Sequence, residues 1–265
     1  MRIQVNGNEC YAYTGTRPLE VGKPAIVFVH GAAHDHSVWA LQSRYFAHHG
    51  WNVLAVDLPG HGRSGGTALA TVEAIADWIP NVLDAAGVTQ AALVGHSFGS
   101  LATLECAARH PARVTKAALL GPAAPMLVSD ELLAAAHADV HLAYELINGW
   151  SYSAGKQLGG NAIPGMWMTG NAMRLMERTR PGVLHVDLVA CQSYAGGLGA
   201  AASVRCPVLA ILGARDLMTP VKGAQAMLAA LADPRTVTLP GTGHAMMAEQ
   251  PDAVLDALRA FLTPN

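Results

Sequence analysis

Short, nearly continuous apolar runs recur at residues 25–29, 52–56, 91–94, 116–120 and 208–212, each bounded by glycine, proline or polar positions. A strand buried on both faces has this look, because neither side of its pleat meets water. Between the runs the apolar spacing changes to that of helices. Over residues 38–49 the anchors are Trp39, Leu41, Tyr45 and Phe46, with Gly50 where a C-cap belongs. Over 71–86, Val72, Ile75, Ala76, Ile79 and Leu83 share one side, and Gly87 ends the helix. A further helix runs from the turn at Ser97 to His110, stopped by Pro111, and others cover 223–231 and 253–261. Residues 237–239 make a short last strand. At the N-terminus, residues 2–10 and 11–13 alternate imperfectly around turn-formers, which predicts an antiparallel hairpin at a sheet edge. Strands and helices in alternation predict an α/β protein with a mostly parallel, doubly wound sheet.

The rhythm breaks after Gly121. Residues 122–203 show helical patterns, among them 130–147 and 171–176, and no buried strand, with Gly159-Gly160, Gly165 and Gly196-Gly197 adding loops. An insertion is the simplest account, so the expected organisation is a core of residues 1–121 and 204–265 interrupted by a helical unit at 122–203.

Composition narrows the function classes. The 265 residues suit one α/β domain with an insertion, and only 14% are charged, for a formal net charge of −2. That leaves no basic footprint for nucleic acid. The longest apolar stretch, 117–128, is broken by Gly121, Pro122 and Pro125 and is too short to span a bilayer. The first residues lack the continuous apolar segment of a secretory signal, so a soluble cytoplasmic protein is expected. Cys10, Cys106, Cys191 and Cys206 lack metal-type spacing and read as reduced, mostly buried thiols.

The chemistry gathers on three loops at strand ends, where ligands collect in such sheets. After the 91–94 run comes Gly95-His96-Ser97-Phe98-Gly99, a strand-turn-helix passage that lifts Ser97 to its apex. The pentapeptide alone is a weak signal. Its partners strengthen it: Asp216 is the only acid in the loop 213–220, and His244 sits in the glycine-flanked loop 240–245. A serine hydroxyl is a poor nucleophile until a base takes its proton. His244 suits that task, and Asp216 would hold its tautomer and stabilise the imidazolium. The oxyanion would meet the backbone N–H groups of Phe98 and Ala32, with Ala33 as the adjacent alternative. Asp187 and Asp35 are rival acids, but neither directly follows a buried core strand.

With His30-Gly31, residues 57–64 (Asp-Leu-Pro-Gly-His-Gly-Arg-Ser), the Ser97 pentapeptide, residues 213–220, and Gly243-His244 followed by Glu249-Gln250-Pro251, the chain resembles an α/β-hydrolase-fold enzyme of the serine-nucleophile type from about Pro24 onward. The resemblance implies that 122–203 is the family's cap, which roofs the site and shapes substrate choice. It implies hydrolysis of small to medium, largely apolar carboxylic esters through an acyl-enzyme, with no cofactor. Dehalogenases and epoxide hydrolases of the fold carry aspartate where Ser97 stands. Ring-cleavage carbon–carbon hydrolases usually carry tryptophan after the catalytic histidine, where this chain has Ala245, and they are the runner-up. Cofactor-free haloperoxidases have esterase-like triads, so a perhydrolase side activity stays open. A slow small-molecule receptor of the same fold is a third reading.

Other residues invite weaker readings. His34 lies in the expected oxyanion loop and is a candidate substrate contact, as are Phe98, Met126, Trp167 and Met168 for an apolar pocket; Met166, Met173 and Met176 could equally pack the cap. His61 and Arg63 are expected to brace their loop. His137 and His141, four apart, fall on one face of the expected 130–147 helix, yet no third ligand is implied and no metal is expected.

Overall fold

A computed structural model of the protein describes residues 1–160 and 165–263; residues 161–164 of the expected cap and 264–265 of the expected core lie outside it. β1 (Arg2–Val5) and β2 (Asn8–Tyr13) form the opening hairpin, which turns at Asn6 and Gly7, both at positive φ. The turn therefore falls earlier than the sequence pattern suggested. β3 (Ala25–Val29) is buried throughout. A 3₁₀ turn, His36–Trp39, then leads into α1 (Ala40–His48). The helix expected over 38–49 starts as this tighter turn because the Asp35 carboxylate caps it, accepting from the Ser37 N–H at 2.8 Å.

β4 (Asn52–Val56) is followed by α2 (Val72–Ala85), which begins where the Thr71 hydroxyl accepts from the Ala74 N–H at 3.1 Å. β5 (Ala91–His96), α3 (Phe98–Arg109) and β6 (Val114–Leu120) complete the first half. Then come α4 (Asp130–His137), α5 (Leu142–Ser151), α6 (Ala154–Gln157), α7 (Met168–Met176), α8 (Val183–Ser193) and α9 (Gly197–Ser203), with no strand among the described residues of this stretch. The continuous helix expected over 130–147 is two helices. The chain leaves α4 at His137, and Asp139 at φ 52° cannot continue a right-handed turn. β7 (Val208–Gly213), α10 (Val221–Ala230), β8 (Pro234–Leu239), α11 (Met246–Glu249) and α12 (Pro251–Leu262) finish the fold. β8 is three residues longer than its apolar core suggested, since an edge strand tolerates a leading proline and exposed polar positions.

The eight strands lie in the order β1-β2-β4-β3-β5-β6-β7-β8. The two pairings that involve β2 are antiparallel and those from β4 to β8 are parallel, as an α/β-hydrolase sheet requires. Alternate residues of β3 serve opposite layers. Val27 packs with Leu54, Leu93, Ile75 and Leu101 on the α2/α3 side, whereas Phe28 packs with Trp39, Phe46, Val254 and Leu258 on the α1/α12 side. Each such fully buried side chain stabilises the fold by about 1.5–3 kcal/mol. A third cluster, with Leu132, Ile147, Leu184 and Leu188, belongs to the helices after β6. No described helix is long and apolar enough to cross a membrane.

Candidate active site

Ser97 sits between β5 and α3 at φ 54°, ψ −122°, a region that costs a non-glycine residue on the order of 1–3 kcal/mol. Two glycines permit this turn. A Cβ on Gly95 would collide with the Gly99 carbonyl oxygen and Thr103 Oγ1, and one on Gly99 with the carbonyl oxygens of Val29 and His30. The turn is pinned by the Ser97 N–H donating to the Leu120 carbonyl at 2.8 Å and by the Ser100 hydroxyl donating to the Ser97 carbonyl at 2.6 Å. Phe98 opens α3, so its backbone N–H is one of the orphan donors of a helix start.

Asp216 leaves the end of β7 and His244 the end of the neighbouring β8, so two adjacent loops bring them together. His244 Nδ1 donates to Asp216 Oδ2 at 2.7 Å, with both residues buried. The carboxylate is held from its other sides. Its Oδ1 accepts from the N–H groups of Met218 and Thr219 at 2.9 and 2.8 Å, and the Thr219 hydroxyl lies 2.8 Å from Oδ2. Burial alone would raise the Asp216 pKa; the charge and hydrogen bond of His244, together with the Thr219 donors, hold it below the usual carboxylate value. Behind the pair Gly121 lies at φ 56°, where a Cβ would come 3.0 Å from His244 Cε1.

The histidine loop is anchored by buried groups. His96 Nε2 donates to the His244 carbonyl at 2.9 Å, the Gly243 N–H donates to Glu249 Oε1 at 3.1 Å, and the Ala245 N–H donates to the Ser151 carbonyl at 2.9 Å. Glu249 also accepts from the Ser153 N–H and hydroxyl, at 2.9 and 2.6 Å, which ties this loop to the segment after α5.

Ser97 and His244 face one cavity of about 380 Å³, with Ala32 and Met126 also on its wall. No hydrogen bond joins Ser97 to His244 among the described residues; such contacts often tighten only when substrate is bound. A second cavity of about 360 Å³ holds Met168 and shares His34, His96, Ile147, Ser151 and His244 with the first. The two are lobes of one cleft, walled partly by the helices after β6. His34 lines both lobes, and burial, then the neighbouring His244, lower its pKa to about 4, so it faces the cleft as a neutral ring.

Two of the expected pocket residues lie elsewhere. Phe98 is fully buried in the α2/α3-side core and lines neither lobe of the cleft. Trp167 is 72% exposed, its indole folded back against Gly170. Of the two residues considered for the oxyanion beside Phe98, Ala33 has its N–H engaged, donating to Asp187 Oδ2 at 3.1 Å, and Ala32 lines the same cavity as Ser97. Gly31 is what lets this loop run so close, since a Cβ there would be 3.2 Å from Ser97 Cβ. Neither rival acid touches His244. Asp35 caps its 3₁₀ turn, and Asp187 bonds Ala33 and His61. His137 ends α4 and His141 precedes α5, so they do not share a helical face; His141 is paired with Glu145 and Glu177. Within their loop His61 Nδ1 donates to the Pro59 carbonyl at 3.0 Å and the Arg63 backbone N–H to Asp57 Oδ2 at 2.8 Å, while the Arg63 guanidinium donates to the Tyr11 hydroxyl of β2 at 3.0 Å.

Thr219, His96 and Glu249 stand within the motifs that carry the resemblance, and Gly121 ends an apolar run, but no role is read for any of the four. Thr219 had a local signal, a hydroxyl three residues after an acid in a turn. The others act across distant segments, and no spacing reports them.

A Mycobacterium phage D29 protein is 37% identical over 111 residues, which cover 42% of this chain and 40% of that one, so this match spans about two fifths of the relative's length. The pimeloyl-[acyl-carrier protein] methyl ester esterase of Chromobacterium violaceum is 30% identical over 238 residues, covering 84% of this chain and 87% of the relative. Among solved structures, the enol-lactonase from Burkholderia xenovorans LB400 superposes over 100% of both chains with a TM-score of 0.88 at 23% identity, a likeness of fold. A family profile described as "Alpha/beta hydrolase family" matches residues 26–257. With its sheet order, its strand-end loops and this match in agreement, the chain belongs to the alpha/beta hydrolase family.

Proposed function

We propose that the protein is a carboxylic-ester hydrolase that works through a covalent acyl-enzyme, with Ser97 as nucleophile, His244 as general base and acid, and Asp216 as its orienting carboxylate. The observation that carries this reading is the 2.7 Å Asp216–His244 contact opening onto the same cavity as Ser97. Ser97 Oγ attacks the ester carbonyl while His244 Nε2 takes its proton. The resulting oxyanion is received by the N–H groups of Phe98 and Ala32. His244 returns the proton to the leaving alcohol, then takes one from water as that water attacks the acyl carbon, and gives it to Ser97 Oγ as the acyl–serine bond breaks and the carboxylic acid leaves.

In this reading residues 122–203 act as a cap over a core of 1–121 and 204–265, and the lobes of about 380 and 360 Å³ receive the two halves of a small to medium, mainly apolar ester. The similarity to a methyl ester esterase from C. violaceum is consistent with an ester substrate. Purified protein should be profiled on p-nitrophenyl esters of graded acyl length, on lactones and on ring-cleavage diketones, with Ser97→Ala as the blank. Fast, Ser97-dependent turnover of esters is the expected result. A diketone cleaved much faster than every ester would move the chain to carbon–carbon hydrolysis, and no turnover above the blank would make it a binding protein.

A further inference from the structure

Asp187 belongs to α8, far in sequence from the strand-end loops, yet its buried carboxylate is built into one of them. Oδ2 accepts from the Ala33 N–H at 3.1 Å and from His61 Nε2 at 2.9 Å. Asp187 is 1% exposed and His61 3%. Ala33 is the residue after Ala32, and it sits at φ 55°, a left-handed conformation that a non-glycine residue keeps only when its surroundings impose it. Two groups do so here, one from α8 and one from the connection between α7 and α8. Asp187 binds its N–H, and the Thr179 hydroxyl donates to its carbonyl at 3.1 Å.

We infer that Asp187 is a positioning residue for the oxyanion hole, a carboxylate lent by the cap that fixes the 31–34 turn and so aims the Ala32 N–H at the developing oxyanion. This rests on the proposed acyl-enzyme reading. The residue's location argues against a purely local packing role. A buried carboxylate is costly unless paired; Oδ1 has no hydrogen-bond partner among the described residues, and of the two partners of Oδ2 one is Ala33, next to Ala32 on the wall of the Ser97 cavity. The other, His61, is itself suited to be cationic. Both of its ring nitrogens face acceptors, Nδ1 the Pro59 carbonyl and Nε2 Asp187, so the doubly protonated ring satisfies both. Burial lowers its pKa, but the Asp187 charge and hydrogen bond outweigh burial and raise it overall. The charge on Asp187 is thereby balanced while its oxygen stays bonded to Ala33. If the α8 side of the cap shifts, the oxyanion turn loses its brace, so the oxyanion hole is complete only with the cap seated.

The test uses the full-length protein and three variants: Asp187→Ala, which removes both bonds, Asp187→Asn, which keeps an acceptor oxygen of the same shape, and Ser97→Ala as the control for the reaction itself. Two inhibitors separate positioning from general damage: a trifluoromethyl ketone, which forms a tetrahedral oxyanion with the serine, and the carboxylic acid product, which does not. Asp187→Ala is expected to lower kcat by about 10–100-fold with KM within about threefold, because a misaimed donor loses part of the roughly 10²–10³ that a whole one contributes. The ketone's affinity should fall in parallel and that of the product acid should hold within about twofold. Asp187→Asn, which keeps the acceptor but loses the charge, should lower kcat by only about three- to tenfold, with ketone affinity falling in parallel. The inference is overturned if Asp187→Asn, or Asp187→Ala where it folds, leaves both kcat and ketone affinity unchanged, or weakens ketone and product acid equally. Should Ser97→Ala match the parent in turnover, it is the acyl-enzyme reading that fails, and that outcome is distinct from the others.

Discussion

His244 Nδ1 donates to Asp216 Oδ2 across 28 positions of sequence, and the contact exists because β7 and β8 are neighbours whose loops leave the sheet side by side. The pairing makes a sharp prediction. Asp216→Asn keeps the shape but presents the wrong group to Nδ1, favouring the tautomer that cannot take the serine proton. Ester turnover should fall by roughly 10⁴ in kcat with little change in KM, as steady-state kinetics would read. A loss under tenfold would remove Asp216 from the catalytic machinery.

Thr219 braces that pair, its hydroxyl within 2.8 Å of Asp216 Oδ2 and 3.0 Å of the Gly121 carbonyl oxygen. Thr219→Val keeps the volume and removes the donor. The loss of a buried bond to a charged group should lower stability by about 1.5–3 kcal/mol, seen in urea unfolding. Turnover should drop by about tenfold, because Asp216 keeps its backbone donors from Met218 and Thr219.

The buried His61–Asp187 pair makes stability depend on pH with a definite sign. Because the folded pKa of His61 is raised, its contribution is fully present below the unfolded value of about 6.5 and is lost as pH rises through the folded value. His61→Gln can still donate a hydrogen bond to Asp187 but carries no charge. The Tm difference between parent and variant should be largest in mildly acidic buffer and shrink toward alkaline pH. A difference independent of pH would contradict an imidazolium at this position.

Met126 shares a cavity with Ser97, and Met168 lines the other lobe. Met126→Trp should therefore narrow the range of one half of the ester, lowering kcat/KM for the longer members of one series at least tenfold while sparing the shortest. Met168→Trp should act on the other half. Identical profiles from both variants would mean that the lobes do not divide the substrate.

The legible part of this molecule is the part written in local pattern. Runs such as Ala25–Val29 and Val208–Gly213 announce strands because both faces are buried, and loops that follow them can then be searched for Ser97, Asp216 and His244. The pattern misleads where a single backbone angle intervenes, as Asp139 does between α4 and α5. It also fails where polar residues stand on an exposed edge, as along β8. Direction is equally hidden. Phe98, next to Ser97, and Trp167, next to Met168, are both apolar, but one points into the core and the other into solvent. Asp187 could be read only as a rival acid, since its partners Ala33 and His61 are 154 and 126 positions away and only the fold brings them together.

The central claim is that Ser97 becomes acylated. Protein mixed with a p-nitrophenyl ester, quenched with acid within milliseconds and digested, should yield the peptide containing Ser97 with the added mass of the acyl group. The release of p-nitrophenol should show a burst equal to the enzyme concentration wherever deacylation is the slower step. Ser97→Ala should show neither adduct nor burst. An adduct on a different residue, or ester turnover by Ser97→Ala equal to the parent's, would contradict the account.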